Sequence, residues 1–331
     1  MKLAIIGGGS WGTALAMVLA PRSESVRLWV YETDLAGRME SSRENDVFLP
    51  GFHLPDSVQI TTQLPTALEG AGIVLGVMPT HHGRSLYEAM RPHLAPSMIL
   101  VSASKGLEQG SLLRMSEVIE HIIQPKFKPR VAVLSGPTFA HEVAAGNPTA
   151  VVVASSSGEV ARCVQDAFSG PTFRLYTNAD PAGVEVGAAL KNVIAIGAGI
   201  CEGLSLGHNP TAALITRGLA EITRLAVAMG GQAKTLAGLA GLGDLVLTCS
   251  GELSRNRYVG KELGRGRALA EILGSMRMVA EGVETCESAV ALGEKFGVDL
   301  PIIQQMHAVM SGGKAPREAV RDLMERSLKG E

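Results

Sequence analysis

Short apolar runs alternate with amphipathic stretches along the first half of the chain. The apolar runs are rich in Val, Ile and Leu and are bounded by Gly, Pro or polar residues, a pattern that predicts buried strands. The stretches between them, such as 12–20 and 112–122, have the spacing of helices. Because strands joined by helices form right-handed crossovers, this alternation predicts a mostly parallel, doubly wound sheet with helices on both faces. The predicted strands cover residues 2–6, 26–30, 73–77, 98–102, 131–134 and 149–153.

The second half of the chain has only helical spacing, because the strand signals stop after about Tyr176. Glycine pairs and single glycines mark the expected helix ends. We therefore predict an α/β domain over residues 1–187 and an all-α domain over residues 188–331. No Pro- or Ser-rich linker separates them, so we expect the two domains to pack directly and form a cleft. The predicted helices cover residues 188–200, 211–229, 284–296, 301–310 and 315–328.

The length and composition agree with two folded domains. At 331 residues the chain is about twice the usual length of a single domain. Hydrophobic residues make up 46% and charged residues 19%, which excludes a disordered chain. The formal net charge of -2 lacks the basic excess that nucleic-acid binding requires, so we expect no nucleic-acid partner.

The cysteines and the hydropathy of the chain indicate the cellular compartment in which the protein is expected. The four cysteines form no C-x-x-C pair and have no histidine at ligand spacing, which predicts neither a metal site nor a disulfide framework. No apolar run is expected to approach the roughly 18 residues of a membrane span. Three consecutive glycines from Gly7 interrupt the apolar N-terminal segment, which argues against a signal peptide. We therefore expect a cytoplasmic protein.

The first predicted strand leads directly into a G-x-G-x-x-G motif at residues 7–12, which a helix follows. In such a motif Gly7 permits a tight turn, Gly9 lets the backbone approach a pyrophosphate, and Gly12 allows close packing of helix and strand. The helix N-terminus would present free N–H groups to the phosphates. Glycine turns also join strands to helices where no ligand binds, but the strand–turn–helix order at the start of the chain favours a Rossmann-type dinucleotide site.

An acidic residue, Glu32, follows the second predicted strand and lies 20 residues beyond Gly12. A carboxylate at this position accepts hydrogen bonds from the adenine ribose and repels a 2′-phosphate, which favours NAD over NADP. Asp34 is a nearby competitor for this role, and Glu32 as a solvated loop acid is the alternative interpretation.

Two lysines stand out from their surroundings. Lys105 follows a predicted strand and so lies at the carboxyl edge of the sheet, where ligands bind in such folds. Lys191 lies in an apolar helix rich in Gly and Ala, where burial would lower its pKa from about 10.4 towards neutrality, as suits an acid/base group. The alternatives are an ordinary surface lysine at 105 and a stem that reaches solvent at 191.

A glycine-rich loop at 238–245 contains Asp244 and precedes a helical run. Asp244 is either a ligand-binding acid or an N-cap. Ser254, Arg255 and Asn256 follow closely and supply the hydroxyl, guanidinium and amide donors that suit a phosphate monoester, although a surface turn would also explain them. The combination of these residues with the two lysines predicts a substrate site.

Two further segments add candidates at the same place. Gly136 and Thr138 follow the strand at 131–134, at the sheet edge that carries Lys105, although Gly-Pro is also plain turn chemistry. The segment at 279–285 is either a loop over the cofactor or a helix start. The adjacent His81 and His82 could suggest a metal pair, but we expect them to point apart on a helix and to have no carboxylate partner nearby, so we assign them no role.

Together these motifs make the chain resemble the soluble, nicotinamide-dependent sn-glycerol-3-phosphate dehydrogenases of bacteria, which interconvert glycerol 3-phosphate and dihydroxyacetone phosphate. Any one of the motifs is only modestly specific, whereas seven in family order are highly specific. The matching blocks lie at 7–14, 104–106, 136–140, 190–192, 241–245, 254–256 and 279–283.

The resemblance implies roles for individual residues, a 6-phosphogluconate-dehydrogenase-like fold, homodimers and a part in phospholipid synthesis. Lys191 would be the proton acceptor in glycerol 3-phosphate oxidation. The implied substrate-binding residues are Lys105, Gly136, Thr138, Lys191, Asp244, Ser254, Arg255 and Asn256. The residues expected to bind NAD, with NADP possible, are Gly7, Gly9, Ser10, Trp11, Gly12, Glu32, Lys105, Ala140, Arg255, Val279 and Glu281.

One departure from the family and two rival interpretations affect these expectations. Many members carry a basic pair after the second strand, where this chain has Tyr31 and Glu32, and that difference puts NADP use in doubt. A β-hydroxyacid or 6-phosphogluconate-type dehydrogenase would need a carboxylate-binding group near the lysine. A non-catalytic dinucleotide sensor would have no use for Lys191 or for the residues at 254–256.

Overall fold

An eight-stranded sheet lies at the centre of the first half of the chain in the computed structural model, which describes residues 1–276 and 279–327. The strands are β1 (Lys2–Ile6), β2 (Ser25–Trp29), β3 (Glu44–Asn45), β4 (Leu49–His53), β5 (Val58–Thr61), β6 (Ile73–Gly76), β7 (Ile99–Ser102), β8 (Arg130–Ser135), β9 (Thr149–Ala154) and β10 (Phe173–Asn178). The order in the sheet is β10-β9-β8-β7-β6-β1-β2-β5, while β3 and β4 pair separately. All neighbours are parallel except β8 and β9, which confirms the predicted mostly parallel sheet.

The six predicted strands are present, and the sequence pattern misses β3, β4, β5 and β10. Both β5 and β10 are edge strands of the sheet. Along β10 the buried residues Phe173 and Leu175 alternate with the exposed residues Arg174 and Tyr176. A half-exposed edge strand therefore carries no continuous apolar run, which is the signal that identifies the buried central strands.

Helices cover both faces of the sheet, as the alternation along β1 shows. Leu3 and Ile5 point into one apolar core, whereas Ala4 and Ile6 point into another on the opposite face. This arrangement confirms the doubly wound, Rossmann-type domain. The helices are α1 (Ser10–Leu19), α2 (Thr33–Ser42), α3 (Leu64–Leu68), α4 (Gly83–Met90), α5 (Met115–Ile123), α6 (Ala140–Ala144) and α7 (Gly158–Phe168).

The rest of the described chain is helical, as predicted, and surrounds one long central helix. The helices are α8 (Pro181–Gly203), α9 (His208–Ala228), α10 (Ala233–Leu236), α11 (Asp244–Ser250), α12 (Arg255–Gly264), α13 (Leu269–Gly274), α14 (Glu281–Phe296), α15 (Pro301–Ser311) and α16 (Pro316–Met324), with a π-helical turn over Leu239–Gly243 before α11. The predicted helix over 315–328 corresponds to α16, and its predicted end at Leu328 lies outside the described residues.

Glycines bring α8 and α12 unusually close together. A Cβ atom on Gly199 would lie 2.0 Å from the carbonyl oxygen of Arg257, and one on Gly260 would lie 1.9 Å from that of Ile196. Only glycine permits backbones to approach this closely. The packing fixes the start of α12, where the candidate residues 254–256 lie, against the helix that carries Lys191.

By length and composition, α8 is apolar enough to cross a membrane, so the expectation that no apolar run approaches span length was wrong. Every residue in its most apolar window is buried inside the protein. A helix that other helices surround is apolar on all sides for that reason, and one such helix is weak evidence for a membrane span.

The link between the sheet and α8 bears on the domain boundary. The sheet ends at Asn178, and the carboxylate of Asp180 then accepts hydrogen bonds from the N–H groups of Gly183 and Gln232, both at 2.8 Å. The predicted division between residues 187 and 188 falls inside the continuous helix α8. We propose that the division is at Asp180, since this residue caps α8.

A buried ion pair joins the two halves of the chain next to this boundary. Glu185 on α8 accepts hydrogen bonds from Arg114, at 2.8 Å, and from the backbone N–H of Ser116, at 2.8 Å. Burial raises the pKa of Glu185, and the charge of Arg114 opposes that rise. The partners hold the start of α5 against α8 and so fix the sheet relative to the helical domain.

Candidate active site

In the glycine turn between β1 and α1, Gly7 and Gly12 pack tightly against other backbone atoms, whereas Gly9 does not. Gly7 has a φ of +129°, and a Cβ atom there would lie 2.2 Å from the carbonyl oxygen of Val77. A Cβ atom on Gly12 would lie 1.9 Å from the carbonyl oxygen of Gly7. On Gly9 a Cβ atom would meet no protein atom within 4 Å. Gly7 and Gly12 therefore hold the turn close to the sheet, while Gly9 leaves the outer side of the backbone accessible, which fits a bound pyrophosphate.

Arg255 connects this turn to the helical domain. Its guanidinium donates a hydrogen bond to the Ser10 hydroxyl, at 3.3 Å, and another to the carbonyl of Val279, at 3.1 Å. Burial lowers the pKa of Arg255, while the nearby carboxylate of Glu281 raises it. The predicted residues Ser10, Arg255, Val279 and Glu281, which are distant in sequence, are therefore neighbours across the cleft.

Glu32 lies at the carboxyl end of β2, immediately before α2, and its side chain is exposed. It makes no capping hydrogen bond to the helix. The competitor Asp34 is also exposed, in the first turn of α2. On the same helix Arg38 pairs with Asp46, with N–O distances of 3.0 and 3.2 Å.

The centre of the site is a fully buried carboxylate between the two lysines singled out from the sequence. One oxygen of Asp244 lies 2.7 Å from the Nζ of Lys191, and the other lies 2.9 Å from the Nζ of Lys105. Asp244 is 0% exposed and Lys191 only 5%. Lys105 comes from the end of β7 and the other two residues from α8 and α11, so this cluster exists only where the two domains meet.

Lys191 is almost fully buried and its Nζ bonds to the buried Asp244, so its stem does not carry the ammonium group into solvent and the alternative interpretation of this residue is wrong. Burial lowers its pKa from 10.5 to about 8, with Lys105 adding to the decrease and Asp244 opposing it. Its Nζ also donates to the hydroxyl of Thr248, at 2.7 Å. Thr248 was missed in the sequence, although it lies one helical turn after Asp244 and so faces the same side of α11.

Lys105 connects the buried pair to the loop after β8. Its Nζ donates to the carbonyl of Gly136, at 2.9 Å, and to the hydroxyl of Thr138, at 3.1 Å. Gly136 has a φ of +147°, and a Cβ atom there would lie 2.9 Å from the Cα of Val151, so only glycine fits. Lys105 is therefore bound on three sides and is not an ordinary surface lysine.

Residues 254–256 begin a helix, so the alternative of a surface turn is wrong. The Ser254 hydroxyl caps α12 by accepting a hydrogen bond from the N–H of Arg257, at 3.2 Å. The side-chain oxygen of Asn256 accepts from the N–H of Gly282, at 3.0 Å, at the start of α14. The amide of Asn192, next to the catalytic candidate on α8, donates to the carbonyl of Lys105, at 3.3 Å.

Glu281 begins α14 and is half-buried, so the segment at 279–285 is mainly a helix start. Burial raises the pKa of Glu281 to about 7, against the opposing charges of Arg255 and the two lysines. Ala140 begins α6, a short helix that packs against α1, and Trp11 lies half-buried in the first turn of α1. Trp11 and Ala140 therefore lie on two neighbouring helices of the α/β domain, whereas Glu281 lies in the helical domain.

The unassigned His81 also bridges the two domains. Its Nδ1 lies 3.1 Å from a carboxylate oxygen of Glu284, one turn into α14. Its neighbour His82 contacts it edge to face, with ring centroids 4.1 Å apart, so the expectations that the two histidines point apart and have no carboxylate nearby were wrong. The pair therefore joins the loop after β6 to the helical domain.

Comparisons with known proteins show which family the chain belongs to. Residues 2–161 match the family described as NAD-dependent glycerol-3-phosphate dehydrogenase N-terminus, and residues 180–321 match the corresponding C-terminus. The chain belongs to the NAD-dependent glycerol-3-phosphate dehydrogenase family. It is 58% identical over 327 residues to a glycerol-3-phosphate dehydrogenase [NAD(P)+] from Koribacter versatilis, covering 98% of this chain and 97% of that one.

Further members of the glycerol-3-phosphate dehydrogenase family match along their whole length. The enzyme of the same name from Citrifermentans bemidjiense is 54% identical over 330 residues, covering 100% of this chain and 98% of that one. The crystal structure of glycerol-3-phosphate dehydrogenase from Coxiella burnetii has a TM-score of 0.93 and 39% identity, covering 98% of this chain and 99% of that one. These matches confirm the resemblance that the sequence motifs indicated.

Proposed function

We propose that this chain interconverts dihydroxyacetone phosphate and sn-glycerol 3-phosphate by reversible hydride transfer with a nicotinamide dinucleotide. The observation that carries the proposal is the buried cluster in which Asp244 joins Lys105 and Lys191. The cluster lies where the domain with the glycine turn meets the helical domain. A sensor that only binds dinucleotide would not need a buried and a partly buried ammonium group around one carboxylate, because their desolvation costs free energy.

Lys191 is the proposed proton donor and acceptor. When bound, the nicotinamide supplies or accepts the hydride at C2 of the substrate. In reduction the protonated Nζ of Lys191 donates its proton to the carbonyl oxygen of dihydroxyacetone phosphate, so that little negative charge builds up there. In oxidation the neutral amine accepts the hydroxyl proton. A pKa of about 8 makes both forms available near neutral pH.

The substrate phosphate and hydroxyl groups are held by cations and small polar groups. Arg255 has a planar fork of donors that matches phosphate oxygens, and Lys105 adds a second charge on the other side of the cleft. Arg255 donates to Ser10 and so lies beside the glycine turn, while Lys105 donates to Gly136 and so lies at the sheet edge. The positions of these two cations support the assignment. The proposed substrate-binding residues are Lys105, Gly136, Thr138, Lys191, Asp244, Ser254, Arg255 and Asn256.

The cofactor is proposed to lie along the carboxyl edge of the sheet, with its pyrophosphate over the glycine turn. The open side of Gly9 and the first turn of α1 support this placement. The proposed cofactor-binding residues are Gly7, Gly9, Ser10, Trp11, Gly12, Glu32, Lys105, Ala140, Arg255, Val279 and Glu281. Within this NAD(P)-dependent family, the exposed carboxylate of Glu32 at the end of β2 supports a preference for NAD.

Replacing Glu32 with glutamine is expected to improve the use of NADPH. The substitution removes the charge that repels a 2′-phosphate but keeps a polar side chain for the ribose. We expect the kcat/KM with NADPH to rise by about tenfold, while that with NADH changes by less than about threefold. Glu40→Gln, on the exposed side of α2, is the matched control. Equal changes with both cofactors would remove Glu32 from cofactor selection.

The activity itself is tested by two absorbance assays. The first follows the consumption of NADH in the presence of dihydroxyacetone phosphate. The second follows the formation of NADH from NAD in the presence of a β-hydroxyacid such as 6-phosphogluconate. The proposal predicts turnover of dihydroxyacetone phosphate and none of the β-hydroxyacid. Turnover of the β-hydroxyacid alone would favour the rival dehydrogenase, which also combines a Rossmann domain with a helical domain. Binding of NADH without turnover of either substrate would favour the sensor.

We also propose that the protein is a cytoplasmic homodimer that supplies glycerol phosphate for phospholipid synthesis. The dimer and the biosynthetic role rest on the family resemblance. All four cysteines, Cys163, Cys201, Cys249 and Cys286, are free thiols, which suits a reducing compartment.

A further inference from the structure

A buried asparagine that is not part of the Lys105–Asp244–Lys191 cluster contacts the glycine turn. Asn45 is 0% exposed and lies in β3, outside the central sheet. Its side-chain Nδ2 donates two hydrogen bonds of 2.8 Å, one to the carbonyl of Gly8 and one to the hydroxyl of Thr13. Its Oδ1 accepts from the N–H of Phe48, at 2.9 Å. Every polar atom of the amide therefore has a partner, and both donors are directed at the glycine turn and the helix that follows it.

The bond to Gly8 determines which way the next peptide N–H points. The peptide between Gly8 and Gly9 is trans, so its carbonyl and its N–H point in opposite directions. Because Asn45 draws the Gly8 carbonyl inward, the N–H of Gly9 points to the outer side of the turn. No described residue accepts a hydrogen bond from that N–H. A Cβ atom at Gly9 would also meet nothing within 4 Å, so there is open space beside this residue.

Thr13 completes a small closed network beneath the turn. Its hydroxyl accepts from Asn45 at 2.8 Å and lies 3.5 Å from the Gly8 carbonyl, while its backbone N–H donates to the carbonyl of Gly9, at 3.0 Å. Thr13 is 1% exposed. The Asn45 side chain thus connects the hairpin of β3 and β4 to the glycine turn and to the start of α1.

We infer that Asn45 is a positioning residue for the cofactor, which orients the Gly8–Gly9 peptide so that the N–H of Gly9 faces the pyrophosphate. The inference rests on the proposed function only in its choice of a dinucleotide as ligand. A preoriented donor binds an anion more tightly than one that must rotate first, because the free protein already holds the N–H in the bound orientation and loses less conformational entropy on binding. Asn45 does not touch the substrate cluster at Asp244, so its effect is confined to cofactor binding.

The test compares cofactor dissociation constants, measured by NADH and NADPH fluorescence without substrate. Asn45→Asp keeps the shape and the acceptor for Phe48 but replaces both donors with an oxygen that repels the Gly8 carbonyl. We expect the dissociation constants of NADH and NADPH to rise by the same factor, about tenfold, because the two cofactors share the pyrophosphate. The KM for dihydroxyacetone phosphate at saturating NADH is expected to change by less than about twofold.

Two further variants keep the inference falsifiable. Thr13→Val introduces no charge and removes only the hydroxyl, so both dissociation constants are expected to rise by about threefold. If Asn45→Asp does not fold, Thr13→Val tests the positioning role in its place. Asn178→Asp is the matched control, because Asn178 uses only its Oδ1, as acceptor from the N–H of Asp180, and aspartate keeps that oxygen.

The outcomes separate a positioning role from a purely structural one. Unchanged dissociation constants in folded Asn45→Asp or Thr13→Val protein, with only a lower melting temperature, would overturn the inference. A rise for one cofactor alone would also overturn it, since that would place the effect at the ribose. A wild-type protein that binds NADH but does not reduce dihydroxyacetone phosphate would refute the proposed function and leave this comparison intact.

Discussion

Replacing Lys191 with methionine is expected to lower kcat for dihydroxyacetone phosphate reduction by about 10²–10⁴-fold, the usual contribution of general acid catalysis. Methionine fills much of the same volume, so the apolar surroundings of α8 stay packed. Lys105 remains to balance the charge of Asp244. The dissociation constant of NADH is therefore expected to stay within about twofold of the wild-type value. The measurements are steady-state kinetics and NADH fluorescence on protein of confirmed helical content.

Lys261→Met is the matched control for this variant. Lys261 also lies in the helical domain and pairs with a carboxylate, that of Glu202 at 2.7 Å, but its side chain is partly exposed and lies outside the proposed site. We expect it to leave kcat unchanged. A Lys191→Met protein with kcat near the wild-type value would remove Lys191 from the proton transfer.

Replacing Asp244 with asparagine is expected to affect both stability and catalysis. The substitution leaves the buried ammonium group of Lys191 and the partly buried one of Lys105 without their shared counter-ion, at a cost of about 3–5 kcal/mol in the free energy of unfolding. Because the charge of Asp244 raises the pKa of Lys191, its loss lowers that pKa below about 8. A smaller fraction of Lys191 is then protonated at neutral pH, so we expect kcat for reduction to fall.

The control for this variant is Asp322→Asn on α16, which removes the carboxylate from a partly exposed pair with Lys314. Exposed pairs contribute little, so a loss of less than about 1 kcal/mol is expected. Denaturant titration gives the stability and the pH dependence of kcat gives the pKa. An Asp244→Asn protein with the stability and pH profile of the wild type would show that the carboxylate does not hold the two lysines.

Individual candidates could be predicted from the sequence because each conflicts with its local surroundings. Lys191 is a charge in an apolar helix, and Asp244 is an acid in a glycine-rich loop. Their contact could not be predicted, because it joins positions 53 residues apart in sequence, and the contact with Lys105 spans 139. Such contacts depend on how the two domains pack, which no local pattern records.

The features that the sequence did not reveal have a common physical origin. Thr248 and Asn45 are polar residues of ordinary type, and their importance comes only from the atoms that surround them after folding. The edge strands β5 and β10 are half-exposed and so lack a continuous apolar run. The start of α12 resembled a turn because Ser254 and its neighbours are polar, although the same residues cap and begin a helix.

The central claim is that one lysine exchanges the proton in both directions, and the pH dependence of the two reactions tests it most directly. Burial lowers the pKa of Lys191 from 10.5 to about 8, so the ammonium form predominates below that pH and the amine above it. The kcat/KM for dihydroxyacetone phosphate should therefore be constant below pH 8 and fall above it. The kcat/KM for glycerol 3-phosphate should rise with pH and level off above 8. Profiles that change in the same direction, or inflections that persist in Lys191→Met, would contradict the account.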